Sequence, residues 1–251
     1  MHILFFFTTF APEMKTSMKE YKAVFLDWDD TIGDWANAMQ LALRDLFGLY
    51  HLDRLYRSAE DFIAAYEPYN LELWGKYGRG EIDKASLQFE RFYRPLKPEE
   101  GRYLDGLDKE HLAHEIGAEF LRLTNTHFSL LPDAEYVVKY LAAKYPLTIV
   151  SNGFKEVQYY KFEHSGLAPF FTHMIISEEV GINKPQPGIF RIALERNGLQ
   201  ADEVIMIGDS YTSDIAGAKA AGIDQIWLHT GKSPETATFI LPKLTDIMSI
   251  L

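Results

Sequence analysis

Short apolar runs at Ala23–Leu26, Leu147–Val150, Met174–Ile176, Val204–Ile207 and Gln225–Leu228 constrain this chain more than any other feature. Each is bounded by polar or glycine residues, which is how buried strands read. Helix-period segments lie between the later ones. Ala134, Val137, Val138 and Leu141 share one helical face, and Ile189, Ile192, Ala193 and Arg196 repeat the rhythm. Strands alternating with helices require right-handed crossovers, so the expected fold class is α/β, a doubly wound and mostly parallel sheet covered on both faces.

The alternation stops between about Asp34 and Ser129. Ala36, Met39, Leu43, Leu46 and Phe47 keep helical spacing there, as do Phe62, Tyr66, Tyr69 and Leu73, and again Leu112, Ile116, Phe120 and Leu123. A helical insert after the first strand is the expected organisation: residues 18–33 and 129–251 form the core and residues 34–128 the insert. Leu96 to Gly101 is its most loop-like stretch. Residues 1–17 read as a dispensable or misassigned extension, since Met18 offers a start just ahead of the first strand. The apolar segment Met1 to Phe10 is too short to span a bilayer and lacks the basic start of a signal peptide, so a cytoplasmic protein is expected.

Cysteine is absent, which removes disulfides, thiolate metal sites and a cysteine nucleophile. Acidic residues outnumber basic ones by 36 to 25, for a formal charge of −11. No Lys/Arg-rich stretch offsets this, so neither nucleic acid nor an anionic membrane is an expected partner. A small phosphorylated metabolite remains compatible with an acidic protein.

Ligands of an open parallel sheet bind beyond the carboxyl ends of its strands. Polar clusters stand at four such places. Ala23–Leu26 runs into Asp27-Trp28-Asp29-Asp30-Thr31. Adjacent carboxylates repel unless compensated, and magnesium, which takes oxygen ligands, is the simplest compensation; a solvated acidic loop is the alternative. Ser151-Asn152-Gly153 offers uncharged donors for phosphate oxygens and reads equally as a helix N-cap. Lys184 stands in the proline-framed segment Asn183-Lys184-Pro185-Gln186-Pro187-Gly188, ahead of a helix beginning near Gly188. Asp209 follows Val204–Ile207 and Gly208, where it is placed to ligate a metal, and Asp214 falls in the next helical turn, where capping is an alternative role. Gly217 and Gly222 read as structural, the second as a helix stop.

Together these clusters resemble the four motifs of the haloacid dehalogenase-like hydrolases, in order from about Tyr21 to Trp227. The resemblance implies a Rossmann-like core with an α-helical cap inserted after the first strand. It implies that Asp27 attacks phosphorus to form an aspartyl-phosphate, and that Asp29 protonates the leaving oxygen, then activates water. Ser151, Asn152 and Lys184 would bind the phosphoryl group. Asp27, Asp209 and the backbone carbonyl of Asp29 would hold Mg2+, with Asp214 orienting Asp209 or a metal-bound water. An acid at position 29 suits a phosphate ester's leaving alkoxide, which disfavours dehalogenation. Within the superfamily the chain is similar to bacterial pyrimidine 5′-nucleotidases, through Phe25–Thr31, through Gln158 and Lys161 after Ser151-Asn152-Gly153, and through Ser177-Glu178-Glu179-Val180-Gly181. Phosphatases of sugar or N-acylneuraminate phosphates, a phosphomutase and a non-catalytic interaction module are the alternatives. The protein is expected as a monomer or small homo-oligomer.

Substrate choice should fall to the cap, with its aromatic residues Trp35, Tyr66, Tyr69, Trp74, Tyr77, Phe92 and Tyr93. A nucleobase can stack on one or two of them, although most read as helix packing. Trp35 is the one expected at the cleft. Arg79 reads as an exposed loop arginine within reach of a substrate anion. Segments near Gly33 and Ser129 are the expected hinges of cap closure.

Overall fold

The protein was analysed as a computed structural model that describes residues 19–97 and 108–251. The expectations for residues 1–17 and for Pro98 to Gly101 lie outside the described residues.

Among the described residues the chain enters through β1 (Ala23–Leu26) and passes into α1 (Trp35–Leu49), α2 (Ala59–Gly78), α3 (Lys84–Tyr93) and α4 (Lys109–Thr126). It returns through α5 (Ala134–Ala142), β2 (Leu147–Ser151), α6 (Lys155–His164), β3 (His173–Ile176) and α7 (Ser177–Val180). Last come α8 (Pro187–Asn197), β4 (Val204–Gly208), α9 (Ala216–Ala220), β5 (Asp224–Leu228) and the short β6 (Phe239–Leu241). All strands pair in parallel, in the order β3-β2-β1-β4-β5-β6. The order reverses at β1, so the crevice at its carboxyl end is a topological switch point.

Strand periodicity divides the core between the two faces of the sheet. Val24, Leu26, Ile149, Ile205 and Ile207 meet Val137, Val138 and Leu141 of α5 on one side. Ala23, Phe25, Val150 and Met206 meet Ile189, Phe190 and Ala193 of α8 on the other. Each large apolar side chain so buried contributes about 1.5–3 kcal/mol, which is why these runs carry almost no polar residues.

The inserted helices have a separate core, in which Leu43 and Leu46 of α1, Phe62 and Tyr66 of α2, Phe92 of α3 and Phe120 of α4 are buried together. A smaller cluster joins the two bodies, with Leu73 of α2 and Leu87 of α3 against Phe154 and Val157 at the start of α6. The chain leaves and re-enters the core as a paired neck. Gly33 bridges Leu130, Asp34 N–H donates to Ser129 O at 2.9 Å, and Leu131 N–H donates to Ile32 O at 2.8 Å. Three of the described elements, α3, α7 and β6, were absent from the sequence expectations.

Candidate active site at the strand ends

β1 is flanked by β2 and β4, so its end delivers Asp27 to the middle of the sheet's carboxyl edge. The Asp27 N–H continues the ladder to Ile207 O at 2.9 Å. The chain then turns sharply. Ile32 and Gly33 N–H groups both donate to Trp28 O, at 2.9 and 2.8 Å. Asp30 takes a positive φ of 59°, which aspartate tolerates better than most residues, and its Oδ1 accepts the Ala36 N–H at 2.8 Å. Thr31 Oγ1 donates to Asp209 Oδ1 at 3.3 Å, joining this turn to the end of β4.

Lys184 comes from the segment between α7 and α8. Its side chain is 2 % exposed, and its ammonium donates to Asp27 Oδ1 and, at 2.7 Å, to Asp214 Oδ1. Asn152 holds the lysine's backbone from both ends. Its Oδ1 accepts the Lys184 N–H and its Nδ2 donates to Lys184 O, each at 2.8 Å. These bonds use one of the two Nδ2–H donors, and Asn152 also lines the cavity over Asp27. Ser151 is buried beside it, with Oγ accepting the Gly153 N–H at 3.1 Å.

Asp214 lies in a π-helical turn, Tyr211–Ile215, and is fully buried. Its Oδ2 accepts the Ser210 N–H at 3.0 Å. Its Oδ1 accepts from Lys184, a contact the sequence reading did not name. The carboxylates of Asp27, Asp209 and Asp214 offer oxygens within 4.8 Å of one another. Hard oxygens so close suit a divalent cation, so the donor set fits a metal ion.

The electrostatics agree. Burial, above all, pushes the Asp27 carboxyl well above the usual carboxylate range; Lys184 opposes this, while Asp214, Asp209 and Asp29 add to it. Burial likewise pushes Asp209 up to about 7, with Asp214 and Asp30 adding repulsion. For Lys184, burial works to lower the pKa, yet Asp214 and Asp27 outweigh it and the ammonium is held raised. One lysine among these carboxylates leaves excess negative charge that a cation would offset.

Asp29 takes no part in that cluster with its side chain. Lys161 Nζ donates to its Oδ1 at 2.6 Å and Gln158 Nε2 to its Oδ2 at 2.7 Å, both from α6. This clamp depends on Gly153, because a Cβ there would stand 1.8 Å from Gln158 Nε2. Lys161 also lies 4.0 Å from the centre of the Trp35 ring, at the start of α1.

A cavity of about 190 Å³ opens over these groups, and its outer wall includes Trp35, Trp74, Phe154, Leu121 and Arg91. Trp35 is at the cleft as expected, whereas Tyr66 and Phe92 belong to the core of the insert. Arg79 pairs with Glu81 at the surface, at 2.6 Å, and does not line the cavity. Arg91, on α3, does line it and went unread in the sequence. It is 1 % exposed, and its Nε and Nη2 have no hydrogen-bond partner among the described residues. Phe92, Phe120 and Phe154 lie around its guanidinium at 5.3, 4.9 and 5.8 Å. Such contacts contribute about 0.5–2 kcal/mol each, against several kcal/mol for burying an ion. Burial accordingly holds its pKa below the ordinary arginine value, with Tyr66 acting in the other direction. Its sequence signal was slight, an arginine four residues after Leu87 in a short helix rich in polar residues.

A parallel sheet with a buried carboxylate at its switch point, a lysine beside it and further carboxylates at the next strand end defines a hydrolase of the phosphatase kind. Residues 21–222 match the family described as haloacid dehalogenase-like hydrolase, and the chain belongs to that family. It is 32 % identical to the HAD-hydrolase YfnB of Bacillus subtilis (strain 168), over 93 % of this chain and 97 % of YfnB. It is 31 % identical to the pyrimidine 5′-nucleotidase YjjG of Escherichia coli (strain K12), over 77 % and 84 % of the two chains. The crystal structure of the Bacillus subtilis YfnB bound to magnesium superposes with a TM-score of 0.81 at 31 % identity, covering 92 % of this chain and 99 % of that one. No helix among the described residues is long and apolar enough to cross a membrane.

Proposed function

We propose that this phosphatase is a magnesium-dependent phosphomonoesterase that works through an aspartyl-phosphate on Asp27 and acts on pyrimidine nucleoside 5′-monophosphates. The observation that carries the reading is the placing of Asp27 and Asp29. One carboxylate touches the buried lysine among the acidic groups, and the other stands apart at the cavity, held by Lys161 and Gln158.

Asp27 attacks phosphorus through a carboxylate oxygen, and the bond from phosphorus to the ester oxygen breaks. The leaving alkoxide takes a proton from the Asp29 carboxyl. Water then attacks phosphorus, Asp29 takes the water's proton, and cleavage of the bond to Asp27 frees inorganic phosphate. Two displacements replace one harder step. Lys184 stabilises charge on the phosphoryl oxygens, and Ser151 and the neighbouring backbone add uncharged donors. Asp27, Asp209 and the Asp29 carbonyl would hold Mg2+, which when bound supplies positive charge to the phosphoryl oxygens.

The nucleotide part of the reading is supported by the aromatic residues Trp35, Trp74 and Phe154 that line the same cavity as the carboxylates and suit a planar base. The similarity to YjjG, a pyrimidine 5′-nucleotidase by name, supports it too. The test is phosphate release from UMP, CMP, AMP, ribose 5-phosphate and N-acylneuraminate 9-phosphate, with magnesium and with EDTA. Preference for UMP and CMP with magnesium is expected. Equal turnover of AMP overturns the nucleotide preference, and turnover in EDTA overturns the metal dependence.

A further inference from the structure

We propose that Arg91 is the residue that recognises the substrate's base, its Nε–H and Nη2–H groups donating together to a ring carbonyl, the C2 oxygen shared by all pyrimidine nucleotides. This rests on the nucleotide reading above and assigns the group that enforces it.

The guanidinium presents two kinds of surface. Its surroundings hold Phe92, Phe120 and Phe154, so its charge already meets aromatic rings. Its Nε and Nη2 are buried and without a partner among the described residues, while the residue lines the same cavity as Asp27. No carboxylate pairs with Arg91 among the described residues. Buried donors without acceptors are rare in folded proteins, and leaving one unmade costs the full desolvation of the group. What the site lacks is therefore an acceptor delivered by a ligand.

The base decides which acceptor: on the nucleotide reading a pyrimidine occupies this cavity, and its C2 carbonyl oxygen has two lone pairs, one for each of the two free donors. A carboxylate would match the same fork, which is why phosphoserine is included in the test. Adenine has no carbonyl, so the same pair of donors rejects it. Sites built to bond a ligand's polar group discriminate strongly against analogues that lack it.

The test compares kcat/KM for UMP with that for the 5′-monophosphate of a phenyl C-riboside, which keeps the ring and sugar but has no carbonyl. Wild type should favour UMP by at least about thirtyfold, and Arg91→Met should bring that ratio close to one. Equal use of the two by wild type, or a ratio that survives in Arg91→Met, overturns the proposal. The wild-type comparison needs no variant, so a misfolded Arg91→Met leaves the question decidable, and Arg91→Lys gives an intermediate ratio if a donor is what counts. A preference for phosphoserine over UMP that vanishes in Arg91→Met shows that a carboxylate is bound there and also overturns it. Turnover of ribose 5-phosphate without turnover of UMP removes the nucleotide reading itself, whereas turnover of UMP without discrimination removes only the role of Arg91.

Discussion

Lys161 holds Asp29 from a distance of 2.6 Å, although 132 positions separate them in sequence. The same ammonium lies over Trp35, the first residue of α1. A side chain from the core thus links the proposed acid/base to the first residue of the inserted helices. Gln158 holds the second Asp29 oxygen from the preceding turn of α6.

Replacing the clamp should slow the reaction without unfolding the protein. For Lys161→Met we expect kcat to fall about 10- to 100-fold, a share of what a positioned acid/base supplies, while the magnesium concentration for half-maximal rate stays put. Steady-state kinetics with a magnesium titration checks this. A kcat within twofold of wild type would remove Lys161 from the positioning of Asp29.

Gly153→Ala reaches the same clamp by steric means. The new Cβ would fall 1.8 Å from Gln158 Nε2 and 2.6 Å from its Cδ, so the amide must leave Asp29. A stability loss of about 1–3 kcal/mol is expected for this overpacking, with a severalfold loss of kcat. Combined with Gln158→Ala, Gly153→Ala should cost little more, because both changes act through one contact. Fully additive losses in urea melts and kinetics would contradict the coupling.

Asp27→Asn removes the nucleophile and keeps its shape. Phosphate release should drop by at least about a thousandfold, with no loss of thermal stability large enough to unfold the protein at assay temperature. Stopped assays for phosphate, beside a melting curve, decide it. Substantial turnover would move the nucleophile elsewhere.

The acidic cluster also predicts how the metal-free protein responds to pH. An aspartate whose native pKa exceeds its unfolded value, about 3.9, binds more protons folded than unfolded. Stability then falls as pH rises across the interval between the two values. Asp209 is pushed up to about 7, chiefly by burial. In EDTA the melting temperature should therefore decline from pH 5.5 to 7.5, and magnesium should recover most of the loss at pH 7.5. A metal-free melting temperature that climbs over this range would contradict the assignment.

The five strand runs and the residues at their ends were legible because burial on both faces leaves a nearly unbroken apolar signature, with polar residues appearing where the strand meets the crevice. β6 escaped because Phe239-Ile240-Leu241 is a three-residue edge strand with Ile240 exposed. α3 escaped because it is short and because Lys84, Gln88 and Arg91 share the face of Leu87, which leaves little apolar rhythm to read. Gln158 and Lys161 were noticed as part of a pattern, yet their contact with Asp29 is made only when β1 and α6 come together. Asn152 and Asp214 turn toward Lys184 for the same reason: the partner is set by the fold, which a local motif does not contain.

The neck at Gly33 and Leu130 has a mechanical consequence. Two lone connectors would let the inserted helices twist and slide over the core in any direction. Hydrogen bonds from Asp34 to Ser129 and from Leu131 to Ile32 lock the connectors side by side. A bonded ribbon acts as a leaf spring, stiff against shear and sideways bending and soft about a single axis. The paired connectors thus resist sliding and sideways bending at the point where the inserted helices leave and rejoin the core.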